Sequence, residues 1–380
     1  MTAATMHERR FPSADAPVVG ALDLVPGVHG VRPRRLPGWT RRQISDPVFD
    51  FVVGMTSGVR VAVRTSADVV ELELAVIGID TGGPPAPALV DLVVDGARRA
   101  TGAVPGDAQT LVDGTGRQTR TRGTATVRFD GLGTAPKTLE LWLPHTTATE
   151  LVAIRADAPI AAAPETRPIW LHHGSSISQC GEAASPTTTW PAIAAADGGV
   201  SLRSLGFSGN AVGDPFVART MRDHPADRIS IEIGINVVNA DLMRRRMFES
   251  VLHGVIDTVR EGHPQTPLLL IGPLPCPSLE TVPGPTVIDP TTGRAASAGD
   301  PRELARGGMS LTTVREALAS VLASRDDDPA LGFLDGWSLL PPDEVGDLDD
   351  GLHPNAAAYE RMGHRFARYA FADGGPLAPR

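Results

Sequence analysis

Apolar and polar residues alternate strictly at several places before residue 155 or so. Val59-Arg60-Val61-Ala62-Val63-Arg64, Val70-Glu71-Leu72-Glu73-Leu74 and Leu139-Glu140-Leu141-Trp142-Leu143 all carry a period of two. That period places apolar side chains on one face of a strand and charges on the other, as in antiparallel sheets with one solvated side. Turn-rich breaks separate these runs, among them Gly82-Gly83-Pro84-Pro85, Asp95-Gly96, Asp113-Gly114 and Asp130-Gly131. No helical period stands out before residue 155. The first part of the chain therefore predicts an all-β unit, a β-sandwich or jelly roll.

The Ala/Pro-rich stretch Ala156 to Pro168 reads as a linker, and the pattern changes after it. Short apolar runs at Ile169–His172, Val200–Leu205, Ile229–Ile233, Leu268–Ile271 and Gly332–Leu334 alternate with longer helical patterns. Asp214-Pro215 is a helix start, an N-cap carboxylate followed by proline at the first helical position. Asp241–Arg260 and Leu311–Ser324 carry apolar stripes of period 3.6, and Asn355–Phe371 closes the chain as a helix. Strands alternating with helices predict a parallel sheet covered on both faces, an α/β domain. The expected division is an N-terminal β domain over 1–160 and an α/β domain over 161–380.

Composition narrows the classes. The 380 residues, 42% of them hydrophobic and 21% charged, suffice for two globular domains. The formal charge of −9 argues against nucleic acid or an anionic membrane as the main partner. Two cysteines exclude a disulfide framework and a four-thiolate zinc site. Lys137 is the only lysine, which disfavours Schiff-base or P-loop lysine chemistry. No signal-like or membrane-spanning run is present, so a cytoplasmic location is expected.

In parallel α/β sheets, ligands bind outside the carboxyl ends of the strands. The residues there are informative. The first strand is followed by His172-His173-Gly174-Ser175-Ser176-Ile177-Ser178, the second by Gly206-Phe207-Ser208-Gly209-Asn210, and the third ends in Gly234-Ile235-Asn236. Past the fifth lies Asp350-Gly351-Leu352-His353-Pro354-Asn355, the only Asp-x-x-His among ten histidines. A serine hydroxyl needs an adjacent base to become a nucleophile, and a neutral imidazole serves. An aspartate accepting the other ring N–H fixes the tautomer and stabilises the imidazolium. Glycine and serine N–H groups and an asparagine amide are suitable donors to an oxyanion.

These four blocks resemble the SGNH hydrolases, the GDSL-like lipases and esterases, over Pro168 to Ala370. The resemblance implies a flavodoxin-like three-layer α/β/α fold of five parallel strands. It implies Ser176 as nucleophile, His353 as base and Asp350 as its orienter, with an oxyanion hole of Ser176, Gly209 and Asn236. Thr189-Trp190-Pro191-Ala192, Gly272-Pro273-Leu274-Pro275-Cys276-Pro277 and Pro283-Gly284-Pro285 further resemble a bacterial subgroup with a β-sandwich in front of the hydrolase domain. One departure stands out. The family's first block reads Gly-Asp-Ser, and Ser175 replaces the aspartate here, which removes a supporting carboxylate and leaves Ser175 and Ser178 as rival nucleophiles to Ser176.

Other candidates have simpler readings. His172 and His173 are expected to be structural, and Cys180 and Cys276 to be free thiols. Arg244-Arg245-Arg246 and Asp326-Asp327-Asp328 read as solvated. In the acidic run Asp347, Asp349, Asp350, one catalytic carboxylate with solvated neighbours is preferred to a calcium site. No metal and no cofactor is expected. The long Pro/Gly-rich segment Pro277 to Gly308 is expected to wall an acyl or alcohol pocket. The reading that follows is a serine esterase acting on small or medium acyl esters, such as acetyl groups on a small molecule or carbohydrate. The alternatives are an acyltransferase with the same triad, or a binding protein with a vestigial hydrolase domain.

Overall fold

The alternating segments become strands because a period of two collects each run's apolar side chains on one face. In the strand Val70–Ile79, Val70, Leu72 and Leu74 are fully buried, whereas Glu71 and Glu73 face Arg128 and Arg155 of the neighbouring strands. The computed structural model describes residues 6–378. The chain divides into two compact units, Met1–Thr166 with Ser185–Thr187, and Arg167–Ala184 with Thr188–Arg380.

The first unit has two β-sheets. One runs in the order Gln118–Arg120, Thr110–Val112, Val70–Ile79, Ala148–Ala156, Val31–Arg34, Asp23–Pro26. The other runs Ala161–Ala162, Arg60–Thr65, Lys137–Trp142, Ala88–Val94, Ala97–Val104. Leu72, Leu74, Leu151 and Ile154 of the first sheet share one core with Val61, Val63, Val90, Leu92, Leu139 and Leu141 of the second. Nearly all pairings are antiparallel; Thr110–Val112 runs parallel to Val70–Ile79.

Two expectations for this unit need correction. A helix is present before residue 155, at Pro47–Gly54. Its start has the same Asp-Pro signature read at 214–215: the Asp46 side chain accepts from the Val48 N–H, and proline occupies the first turn. The eight-residue helix is too short for its apolar period to stand out. The Ala/Pro-rich stretch is also more than a linker, because Ala161–Ala162 pairs with Arg60–Thr65 and Ile160 is buried in the sandwich core.

The second unit is built on five parallel strands in the order Ser201–Gly206, Ile169–Gly174, Arg228–Glu232, Leu268–Ile271, Leu331–Leu334. Each expected apolar run matches one of them to within one or two residues at its ends. Helices cover both faces of the sheet. Trp190–Asp197 packs with the last helix, Ala356–Ala370, while Pro215–Asp223, Arg245–Gly262 and Leu311–Ala323 form the other set. Helix Arg245–Gly262 begins four residues later than its sequence pattern, with Arg244 at the N-cap. Asp214 does occupy the N-cap of Pro215–Asp223, yet its side chain makes no capping hydrogen bond, and burial raises its carboxyl to about 6.

An aromatic cluster joins the sheet to the last helix. Trp170 stacks on Phe366 with ring centroids 5.1 Å apart, and Phe371 and Trp190 close around them. Phe366 is fully buried, and truncating it leaves a cavity that rigid neighbours fill only in part. Phe366→Ala is expected to destabilise the second unit by about 3–5 kcal/mol. Urea unfolding followed by tryptophan fluorescence checks this; an unchanged midpoint would show that the cluster does not hold the helix to the sheet.

Candidate active site

In a sheet of order 2-1-3-4-5, the crevice opens where the chain reverses direction across the sheet, beside the carboxyl end of the first strand. The first strand ends at Gly174 and passes directly into a short helix, Ser176–Gln179. Ser175 is its N-cap, with its hydroxyl accepting from the Ile177 N–H at 3.2 Å. Ser176 Oγ lies 2.8 Å from His353 Nε2, and His353 Nδ1 lies 2.7 Å from Asp350 Oδ2. The carboxylate accepts only, so Nδ1 carries the proton and Nε2 is the acceptor facing the serine. Ser175 and Ser178 are buried, and Ser178 Oγ is held by His172 and Glu232. Of the three serines, Ser176 is the one bonded to the histidine.

The Asp350–His353 turn is tight because both Asp350 carboxylate oxygens accept hydrogen bonds from within it. Asp350 Oδ1 accepts from the N–H groups of Leu352 and His353, at 2.8 and 2.7 Å, while Oδ2 takes the ring. Burial opposes ionisation of Asp350, but these hydrogen bonds outweigh it and hold the carboxyl below its ordinary value. Glu182 is a second carboxylate nearby, 3.9 Å from His353 Nδ1 and bonded to the Tyr359 hydroxyl at 3.1 Å. At that distance it adds negative potential without orienting the ring.

Three donors lie at the ends of the three adjacent strands. Asn236 sits on the short helix Ile235–Asn239, and its Oδ1 accepts from the Ala211 N–H at 2.9 Å. That bond aims the Nδ2 end the other way. Gly234 makes this placement possible: its φ is +132°, and a Cβ there would lie 2.6 Å from Val314 Cγ1. Gly209 has a φ of +74° in the turn after the second strand, which is pinned by the Ser208 N–H donating to Gln179 Oε1 at 3.1 Å. Among the described residues, neither the Ser176 N–H, the Gly209 N–H nor Asn236 Nδ2 donates a hydrogen bond within the chain. All three are available to a ligand.

Two devices that the sequence did not reveal hold the Asp350–His353 segment. On one side, Glu344 pairs with Arg361 and Arg365 of the last helix, and Asp347 also pairs with Arg361. Asp347 is thus an ion-pair partner rather than a solvated neighbour. On the other side, the segment after the fourth strand contains a two-stranded hairpin, Thr286–Ile288 with Ala295–Ser297. Its Ala295 N–H donates to the Asp350 carbonyl at 2.6 Å, and Arg294 donates to the carbonyls of Leu348 and Asp349, both at 2.9 Å. The segment expected to wall a pocket thus braces the Asp350–His353 turn. A pocket of about 480 Å³ beside His353 is lined by Glu182, Asp349, Asp350, His353, Asn355, Ala356 and Ala357, none of them from the hairpin.

The remaining candidates settle into structural places. His172 and His173 are fully buried, and burial keeps them neutral, at about 3 and about 4. Both cysteines are free and buried. Arg244 and Arg245 are half-exposed but ion-paired, with Glu303 and with Glu249 and Glu316. Asp328 pairs with Arg260. Among the described residues, no group of three His, Cys, Asp or Glu stands where it would hold a metal ion.

Residues 173–361 match the model of the GDSL-like lipase/acylhydrolase family. This chain belongs to that family. Salicylyl-acyltransferase SsfX3 from a tetracycline biosynthetic pathway is 26% identical, with 96% of each chain covered and a TM-score of 0.78. A family two carbohydrate esterase from Cellvibrio japonicus is 12% identical, again with 96% of each chain covered, at 0.59. The acetyl xylan esterase Est2A from Butyrivibrio proteoclasticus is 12% identical over 96% of this chain and 98% of its own, at 0.55. These likenesses extend across both units, so the β-rich first part is shared along with the α/β fold. No curated protein sequence matches the chain.

The brace and the ion pairs make separable predictions. Arg294→Ala is expected to lower kcat for turnover of an acyl ester, whether by hydrolysis or transfer, by roughly tenfold with little change in KM, because it loosens the Asp350 segment without touching the pocket. Unchanged kcat would remove the bracing role. Arg365, opposed by burial and helped by Arg361, holds the Glu344 carboxyl at about 2 instead of 4.5. A depressed carboxyl stabilises the fold above its unfolded value and loses that contribution as pH falls through the folded one. Glu344→Gln should therefore lower the thermal midpoint at pH 7, with the difference from wild type closing between about pH 4.5 and 2. Calorimetry across that range checks it, and a difference independent of pH would refute it.

Proposed function

We propose that this family member is a serine esterase that hydrolyses small or medium acyl esters through an acyl-enzyme. The observation that carries the proposal is the continuous hydrogen-bonded chain Ser176 Oγ to His353 to Asp350. Ser176 attacks the ester carbonyl and passes its proton to His353 Nε2, while Asp350 stabilises the imidazolium. The oxyanion takes hydrogen bonds from the Ser176 N–H, the Gly209 N–H and Asn236 Nδ2. His353 then protonates the departing alcohol, and water, activated by the same imidazole, releases the acid. No step calls on a cofactor.

The pocket beside His353 bears on the alcohol. The carboxylates of Glu182, Asp349 and Asp350 and the amide of Asn355 in its lining offer several acceptors, which suits a leaving group carrying hydroxyls and opposes one carrying phosphates. Acetylated sugars are therefore the substrates to try first, in keeping with the names of the two esterases that share the fold. Acyl transfer is the second reading, favoured by the 26% identity to an acyltransferase along the whole chain. In that case a second alcohol, rather than water, takes the acyl group from Ser176.

A fluorophosphonate is expected to label Ser176 in the wild type and nothing in Ser176→Ala. Hydrolysis of p-nitrophenyl acetate should fall by about 10⁴-fold or more in Ser176→Ala, and by about 10²-fold in kcat for Asn236→Ala. Equal rates for wild type and Ser176→Ala would refute the esterase and leave a binding protein. Mass spectrometry of products with added sugar or alcohol acceptors separates hydrolysis from transfer.

A further inference from the structure

One buried acidic side chain lies beneath the nucleophile turn and takes no part in the mechanism above. Glu232 ends the third parallel strand, 1% exposed, between the buried Ile231 and Ile233. Its Oε2 accepts from the Ser175 N–H at 2.7 Å and from Ser178 Oγ at 3.3 Å. The carbonyl of the same Gly174–Ser175 peptide accepts from the Phe207 N–H at 2.7 Å. The Gly174–Ser175 peptide, one residue ahead of Ser176, is thus held from both sides, by the end of the third strand and by the residue after the second. Gly174 is what lets these groups approach, since a Cβ there would lie 2.2 Å from Ser178 Oγ and 2.8 Å from Glu232 Oε2.

The bonds behind Glu232 have one consistent direction. Trp170 Nε1 donates to Ser230 Oγ at 2.9 Å, and an indole N–H only donates. Ser230 Oγ lies 2.8 Å from His172 Nδ1, and His172 Nε2 lies 2.8 Å from Ser178 Oγ. With Ser178 Oγ donating to Glu232, His172 carries its proton on Nε2 and accepts from Ser230 on Nδ1. The chain runs Trp170, Ser230, His172, Ser178, Glu232, every donor matched to an acceptor. The register makes it possible: His172 pairs with Ser230 across the two strands, so alternate residues of both share one face.

We infer that Glu232 is a positioning residue for Ser176, fixing the Gly174–Ser175 peptide, and with it the Ser176 N–H and Oγ, by accepting from the Ser175 N–H and Ser178 Oγ at full glutamate reach. Ser175 stands where the family's first block carries aspartate; at this turn the carboxylate comes instead from the adjacent strand. The inference rests on Ser176 being the nucleophile, as proposed above.

Two substitutions separate reach from charge. Glu232→Gln keeps an oxygen at the same place, and Glu232→Asp keeps the charge but withdraws it by one methylene. With p-nitrophenyl acetate, Glu232→Asp is expected to lower kcat roughly tenfold with KM within about twofold, and to slow fluorophosphonate labelling of Ser176 in parallel. Glu232→Gln is expected to stay within about threefold of wild type, because one oxygen accepts both hydrogen bonds. Circular dichroism confirms that each variant is folded. Wild-type kcat in Glu232→Asp, an equal loss in both variants, or a loss confined to KM would each overturn the inference while leaving the esterase standing. If Glu232→Asp does not fold, the same readings on Ser178→Ala, which removes one of the two donors, decide: reduced kcat supports the inference and unchanged kcat overturns it. A wild type neither labelled nor active removes both proposals.

Discussion

The site depends on one constraint: strand Ile169–Gly174 is hydrogen-bonded to a parallel neighbour on each side. Its partners, Ser201–Gly206 and Arg228–Glu232, run in register with it, so all three carboxyl ends arrive at one edge. Parallel pairing requires a crossover between strands, so residues far apart in sequence are delivered to the same edge by backbone hydrogen bonds alone. Ser176, Gly209 and Asn236 need no direct contact with one another to be placed. Each follows its strand by a short turn, and each turn is fixed by a bond to another: Gln179 holds Ser208, Asn236 holds Ala211, and Phe207 and Glu232 hold the Gly174–Ser175 peptide. A slip of one residue along the first strand would turn every side chain to the opposite face and dissolve this set.

Asp350 and His353 are supported differently. They belong to no strand of the sheet, and the turn that carries them lies between a 3-10 segment, Pro342–Asp347, and the last helix. Ordering such a segment costs about 1–2 kcal/mol of backbone entropy per residue. The hydrogen bonds within the Asp350 turn offset part of that cost. The ion pairs of Glu344 and Asp347 with the last helix, and the hairpin's donors to three successive carbonyls, supply external restraint. The helix is in turn bound to the sheet through Phe366 against Trp170. The imidazole's position is thus traceable to an aromatic stack at the opposite end of the same strand that presents the serine.

The sequence made legible what short-range periodicity and local spacing encode. The five parallel strands were visible as apolar runs, and the Asp350-x-x-His353 pair was visible because both members lie in one turn. Gly209 and Asn236 were legible only through the family blocks, since nothing local about a glycine or an asparagine announces a donor. The braces were not legible, because Arg294 and Glu344 act on partners 54 and 21 residues away, at distances no pattern reports. The helix Pro47–Gly54 was missed although Asp46-Pro47 carried the signature used correctly at Asp214-Pro215. Glu232 did leave a mark. A carboxylate inside Ile229-Ser230-Ile231-Glu232-Ile233 is anomalous for a strand buried on both faces, a signal of a buried acceptor requirement that reading the segment simply as an apolar run leaves unused.

The same anomaly bears on how the nucleophile is held. A buried carboxylate is costly unless its oxygens are satisfied, and Glu232 Oε1 makes no hydrogen bond among the described residues. Burial accordingly pushes its carboxyl up, against the pull of Ser175 and Ser178. An apolar residue of similar size would avoid that cost and leave the strand equally well packed. It would also leave the Ser175 N–H and the Ser178 hydroxyl without an acceptor in a place water does not reach. The carboxylate thus meets a requirement set by the turn itself. A serine that must enter a short helix straight from a parallel strand exposes its preceding N–H at the sheet edge, and this N–H points at the neighbouring strand. The acceptor comes from there, from a glutamate at that strand's last residue whose length spans the gap to the turn.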